Sequence, residues 1–133
     1  MHRMHLKGPW ECEPLSGEGA PTAGRVKLPQ SWEEAWGEFR GEMRYRRRFH
    51  RPTNLDRHER VWIVFDGVGG SARVAVNSQE LGRIANGSEF PARFEITPLL
   101  QPSNELVVEV SFGSDTSGPG GLWAPVAIEI TAE

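Results

Sequence analysis

Residues 42–50 read EMRYRRRFH, and their alternation decides the fold. Successive side chains of a strand point to opposite sides, so Met43, Tyr45, Arg47 and Phe49 share one face and Arg44, Arg46, Arg48 and His50 the other. The same period returns further along. Val61, Ile63 and Phe65 alternate in RVWIVFDG, Ala72, Val74 and Val76 in ARVAVN, and Phe94 and Ile96 in RFEIT. Leu106, Val108, Val110 and Phe112 alternate in ELVVEVSF, and Val126, Ile128 and Ile130 in VAIEI. Turn chemistry separates these runs at RPTNLD, DGVGG, NSQELG, NGSEFP, QPSN and SGPGG.

Upstream, residues 14–30 (PLSGEGAPTAGRVKLPQ) show no apolar period and read as a loop or arm, and SWEEAWGEF holds at most a turn or two of helix. A further strand is expected near Leu6–Cys12. Short strands at this spacing, without a long amphipathic helix, predict an all-β antiparallel sandwich or jelly roll, one domain over 1–133 with its core at about 42–131.

Composition agrees with this class. The 15 Gly and 10 Pro among 133 residues suit strands joined by turns, and 38% hydrophobic residues exclude disorder. A net charge of −3 points to no nucleic-acid or membrane partner, and no apolar run approaches a membrane span or a signal peptide. The default compartment is cytoplasmic, with secretion open if a leader has been removed. One cysteine, Cys12, excludes an internal disulfide, so burial has to carry stability.

Catalytic constellations are not visible. His2, His5, His50 and His58 are scattered, no Gly-x-Ser-x-Gly elbow exists, and one Cys with four His shows no zinc spacing. The charge is nevertheless uneven. Residues 40–60 carry eight Arg against Glu42, Asp56 and Glu59. Arg46 and Arg48 on one strand face could take a phosphate, but cross-strand pairing with carboxylates such as Glu109 and Glu129 is the favoured reading. Arg47, inward by phase, is expected to bond a buried acceptor.

The order of these motifs resembles the N-terminal sugar-binding domain of family-2 glycoside hydrolases, the β-galactosidase and β-glucuronidase group, over roughly residues 28–130. The family's Tyr-x-Arg-x-Phe and following Pro are similar to Tyr45, Arg47, Phe49 and Pro52, its Phe-x-Gly-Val to Phe65, Gly67 and Val68, and its Ala-x-Val-x-x-Asn-Gly to Ala72, Val74 and Asn77. The resemblance implies a galactose-binding-like jelly roll and a carbohydrate ligand. Ser78 replaces the Gly of the Asn-Gly turn, which predicts a longer or differently shaped connection, and Ala124 stands where an Arg is common. In the family the acid/base and nucleophile carboxylates belong to a separate barrel, so no catalysis is expected of these residues. No cofactor is expected. A structural calcium occurs in related jelly rolls, and the acidic loop residues here are too sparse to assign one.

Binding residues follow from aromatic character and from the family's use of loops at a sandwich end. Trp10 and Trp32 are expected in the core, and the polar neighbours of Trp36 suit exposure. Trp123 beside the Gly-rich loop is the stacking candidate, with Asp115, Asn86, Glu89, Asn54 and Arg57 in the loops around it. Trp62 and Val64 lie out of phase with the core and, with Arg46 and Arg48, form a candidate face for a protein partner or a second copy.

Overall fold

A computed structural model describes residues 1–114 and 116–132. Among these residues ten strands, one short α-helix and one 3-10 turn follow in order: β1 (His2–His5), β2 (Trp10–Ser16), β3 (Gly24–Val26), α1 (Trp32–Trp36), β4 (Gly41–His50), β5 (Glu59–Phe65), β6 (Ser71–Val76), β7 (Gln79–Ile84), β8 (Ala92–Glu95), the 3-10 turn Thr97–Leu99, β9 (Ser103–Phe112) and β10 (Val126–Ala132). They form two antiparallel sheets, β1-β10-β5-β8 and β3-β2-β4-β9-β6-β7. The expected all-β sandwich is therefore what the chain adopts.

The period-two faces turn towards each other and make the core. Met43, Tyr45 and Phe49 of β4 and Leu106, Val108, Val110 and Phe112 of β9 meet Val61, Ile63 and Phe65 of β5 and Val126 and Ile128 of β10. All are buried. Each such side chain contributes roughly 1.5–3 kcal/mol by leaving water. The central pair of the six-stranded sheet, β4–β9, is the longest ladder, running in register from Gly41 opposite Phe112 to His50 opposite Ser103.

An aromatic cluster closes one end. Trp32 is fully buried, stacks on Phe39 at 4.9 Å and meets Phe112 edge-on at 5.5 Å. Its indole N–H donates to the Tyr45 hydroxyl at 2.8 Å. Burial pushes the Tyr45 hydroxyl well above its ordinary pKa, so it stays a neutral acceptor for that bond. Trp36 packs edge-on against Trp32 and Phe39 and is half-buried, more enclosed than its polar neighbours suggest. Ser31 starts α1 with a capping box: its hydroxyl accepts from the Glu34 N–H, and the Glu34 carboxylate accepts from the Ser31 N–H. Trp10 is buried as expected, its indole N–H donating to the Leu6 carbonyl at 2.7 Å.

Four local expectations change. β7, read as turn residues NSQELG, is an edge strand in which only Ile84 is buried. With water on one side and along one edge, it needs no alternation. β1 is likewise a polar edge strand, paired among the described residues with β10 alone. The span 14–30 contains the end of β2 and all of β3. Finally, the connection at Ser78 is not longer. Val76 pairs with Gln79 across a two-residue turn in which Asn77 and Ser78 have φ of 53° and 69°.

That turn requires positive φ at both central residues, the left-handed region that costs a non-glycine residue about 1–2 kcal/mol. Asn77 is held there by its side chain, which donates to Leu99 O and Asn104 Oδ1 and accepts from the Glu105 N–H. Ser78 is exposed and has no such ties. Ser78→Gly is expected to stabilise the domain by about 0.5–1 kcal/mol, read as a higher urea midpoint at unchanged slope.

Candidate functional site

The strand order decides which loops meet. Phe65 at the end of β5 lies opposite both Val126 of β10 and Ala92 of β8, so loops 66–70 and 85–91 and the described residues 116–125 gather at one end of the sandwich. Trp123, Asn86 and Glu89 are exposed there. β4 runs the other way, ending at His50, and β5 leaves from Glu59, which lies opposite Ala132. Asn54 and Arg57 thus sit in the 51–58 loop at the far end and cannot join Trp123 around one ligand. That loop is a self-braced turn in which the His58 N–H donates to Asp56 Oδ1 and the Asp56 N–H to Glu59 Oε1, each at 2.9 Å. Asp115 lies outside the described residues.

Trp123 is held by backbone geometry. Gly69 and Gly121 exchange N–H···O bonds at 2.9 and 3.1 Å, and the same loop accepts from the Gln30 and Trp32 N–H groups through Leu122 O and Gly120 O. Glu33 Oε2 accepts from the Gly120 N–H at 3.2 Å, tying α1 to it. Gly121 has φ of 73°, and a Cβ there would stand 2.1 Å from the Trp32 ring, so only glycine fits. Gly67 is the floor beneath Trp123, since a Cβ at Gly67 would stand 2.5 Å from the indole. The neighbouring Leu122 is fully buried while Trp123 is 41% exposed. Ala124 is buried and fills its position by packing.

The second candidate face does not exist as one surface. β5 belongs to the four-stranded sheet and β4 to the six-stranded one, so Trp62 and Val64 lie on the opposite side of the sandwich from Arg46 and Arg48. Val64 is fully buried, contrary to its expected exposure. A charged layer covers it. Arg93 lies over the Trp62 ring at 4.7 Å and donates to Glu129 Oε1 at 3.1 Å; Arg3 donates to Glu129 Oε2 at 2.5 Å and also to Asp66. The Trp62 indole N–H donates to Thr131 Oγ1 at 2.9 Å, which leaves Trp62 half-buried.

On the other sheet the expected cross-strand pairing is realised at Arg44, which bonds Glu109 at 2.8 Å and Glu13 at 2.9 Å. Arg46 and Arg48 are exposed and form no ion pair among the described residues, and Glu129, on the other sheet, pairs with neither. Arg47 donates to the backbone carbonyls of Lys7 and Arg48, at the exposed margin rather than to a buried acceptor. Sequence reasoning missed Glu11 and Arg25 beside Arg46, because the strand partners β2 and β3 carry little apolar period. Among the described residues no group of three or more His, Cys, Asp or Glu side chains could hold a metal ion.

These features have known counterparts. Residues 30–118 match the family of glycosyl hydrolase 2 galactose-binding domain-like modules. No curated protein matches the chain. Among solved structures, the FMN-binding β-glucuronidase of Facaelibacterium prausnitzii L2-6 is 25% identical with a TM-score of 0.82, covering 98% of this chain and 22% of that one. A putative β-galactosidase of Bacteroides fragilis is 22% identical, TM-score 0.79, over 98% and 23% of the two chains. A rhamnosidase of Novosphingobium sp. PP1Y shares the fold at 19% identity and TM-score 0.79, over 98% and 15%. This chain thus spans less than a quarter of each of those structures. With two thirds of its residues inside the family match and its jelly roll superposing almost end to end, the chain belongs to the glycosyl hydrolase 2 galactose-binding domain-like family.

Proposed function

We propose that the domain is a non-catalytic carbohydrate-binding module that takes a pyranose ring on the exposed face of Trp123. The observation that carries this reading is the indole itself: 41% exposed, seated over Gly67, and fixed by a loop bonded on both flanks. A rigid aromatic face is what a sugar's C–H surface stacks on, and pre-fixing it removes the ordering cost of binding. Asn86 and Glu89 at the same end offer amide and carboxylate groups to ring hydroxyls. The similar structures are glycoside-cleaving enzymes by their names, which supports a sugar as the ligand class. Hydrolysis is not part of this reading: it needs one carboxyl free to give a proton and a second about 5 Å away, and the carboxylates brought together here, Asp66 with Glu129 on Arg3 and Glu13 with Glu109 on Arg44, are engaged with an arginine.

The test is a glycan array of galactosides, glucuronides and plant polysaccharides with Trp123→Ala alongside. Binding by the parent domain that falls about tenfold or more in the variant is expected. Gly67→Ala, which pushes a methyl into the indole, is expected to weaken the same ligand while leaving the fold intact. Binding unchanged in both variants would sink the Trp123 site, and no glycan bound at all would sink the module reading.

A further inference from the structure

The outer face of the six-stranded sheet carries charges that do not neutralise one another. One row across it is satisfied: Glu13, Arg44 and Glu109 are bonded in sequence, and Arg73 bonds Glu80 at 3.1 Å. The next row is not. Arg25, Glu11 and Arg46 stand side by side on β3, β2 and β4, since Glu11 lies opposite both Arg25 and Arg46. Arg48 follows Arg46 on the same face, opposite Glu105 of β9. Among the described residues none of these five side chains forms a hydrogen bond or ion pair within the domain, although they are cross-strand neighbours. Two adjoining cavities of about 340 and 300 Å³ open over them and share Glu11, Arg25 and Arg46.

We propose that this groove is a second binding site, for an acidic glycan built of uronic acid units, separate from Trp123. A guanidinium grips a carboxylate through two parallel N–H···O bonds, and three unpaired guanidinium groups can do so along one strip. Neighbouring strands lie about 4.8 Å apart and alternate residues of one strand about 6.7 Å apart, so Arg25, Arg46 and Arg48 span a patch of disaccharide size. Glu11 and Glu105 carry the discrimination. They accept hydrogens from hydroxyl groups, which a uronic acid chain presents between its carboxylates. The same two carboxylates repel a denser polyanion. A single-stranded nucleic acid fits less well, because no aromatic side chain lines either cavity for a base to stack on. The strip lies on a sheet face and Trp123 at a sandwich end, so the proposal stands or falls independently of the Trp123 reading.

The experiment is a titration of the labelled whole domain with a short oligogalacturonate, followed by amide NMR and calorimetry. Shifts centred on Glu11, Arg25, Arg46 and Arg48 are expected. Arg46→Ala and Arg48→Ala, both at exposed positions that leave the core untouched, are expected to weaken binding at least tenfold each. Trp123→Ala is expected to leave it unchanged, and raised salt to weaken it. Three results overturn the proposal: no shift on β2–β4, equal binding of the fully methyl-esterified oligomer, or tighter binding of single-stranded DNA than of the oligogalacturonate. Loss in Trp123→Ala but not in the arginine variants would place acidic glycans at the loop end and refute this groove alone.

Discussion

Trp32→Ala is expected to cost about 3–5 kcal/mol, the range for removing a large aromatic from a packed core. The side chain is wholly buried and touches three aromatic rings, so the cavity left behind cannot collapse without moving α1. It also donates to the Tyr45 hydroxyl, which would lose that partner inside the core. The effect reaches the loop end, because the Trp32 backbone N–H holds Gly120 O and its ring packs against Gly121. Chemical denaturation reads the stability loss. Hydrogen exchange reads the site: the Gly121 amide, bonded to Gly69 O, is expected to exchange faster in the variant. Trp32→Phe keeps most of the volume and is expected to lose only about 1–2 kcal/mol. Equal losses for the two variants would show that the indole N–H, not packing, is what matters.

Glu129→Ala is the second large effect. Glu129 is 6% exposed and bridges Arg3 and Arg93, so its removal leaves Arg93 without a carboxylate partner and Arg3 with Asp66 alone. Breaking a buried pair costs about 3–5 kcal/mol; both arginines keep partial access to water, which puts the expectation near 3 kcal/mol. Glu129→Gln keeps one acceptor oxygen, for Arg3 or for Arg93, and is expected to lose about half as much. β1 has no ladder partner but β10, and Arg3 is its side-chain anchor. Exchange of the His2–His5 amides is therefore expected to accelerate more than that of β4. Uniform acceleration across both sheets would contradict a role for Glu129 in holding β1.

What was legible depended on burial. On β4 the strand and its inner face followed from Met43, Tyr45 and Phe49 alone, because a half-buried strand writes its period into its composition. β1, β3 and β7 have no such pattern, since edges are open to water. The placement of the candidate residues was legible only in part. Trp123 stood out as an aromatic beside a glycine run, and the structure exposes it at a loop end. That Asn54 and Arg57 fall at the other end depends on β5 pairing with β10 and β8, a non-local fact no local pattern carries. The same crossing between sheets separated Trp62 from Arg46. Ser78 was misread because residue preference was weighed without the Asn77 side chain that fixes the turn.

The position of β10 between β1 and β5 has a consequence for synthesis on the ribosome. Until residues 126–132 have emerged, β1 has no strand to join and β5 is paired only with the four-residue β8. The inner face of β4 and β9 would meanwhile stand largely uncovered, an apolar surface of the kind chaperones hold. The pairing of β1 with β10 therefore forms only after residues 126–132 have emerged, and its high sequence separation makes it slow compared with hairpin formation.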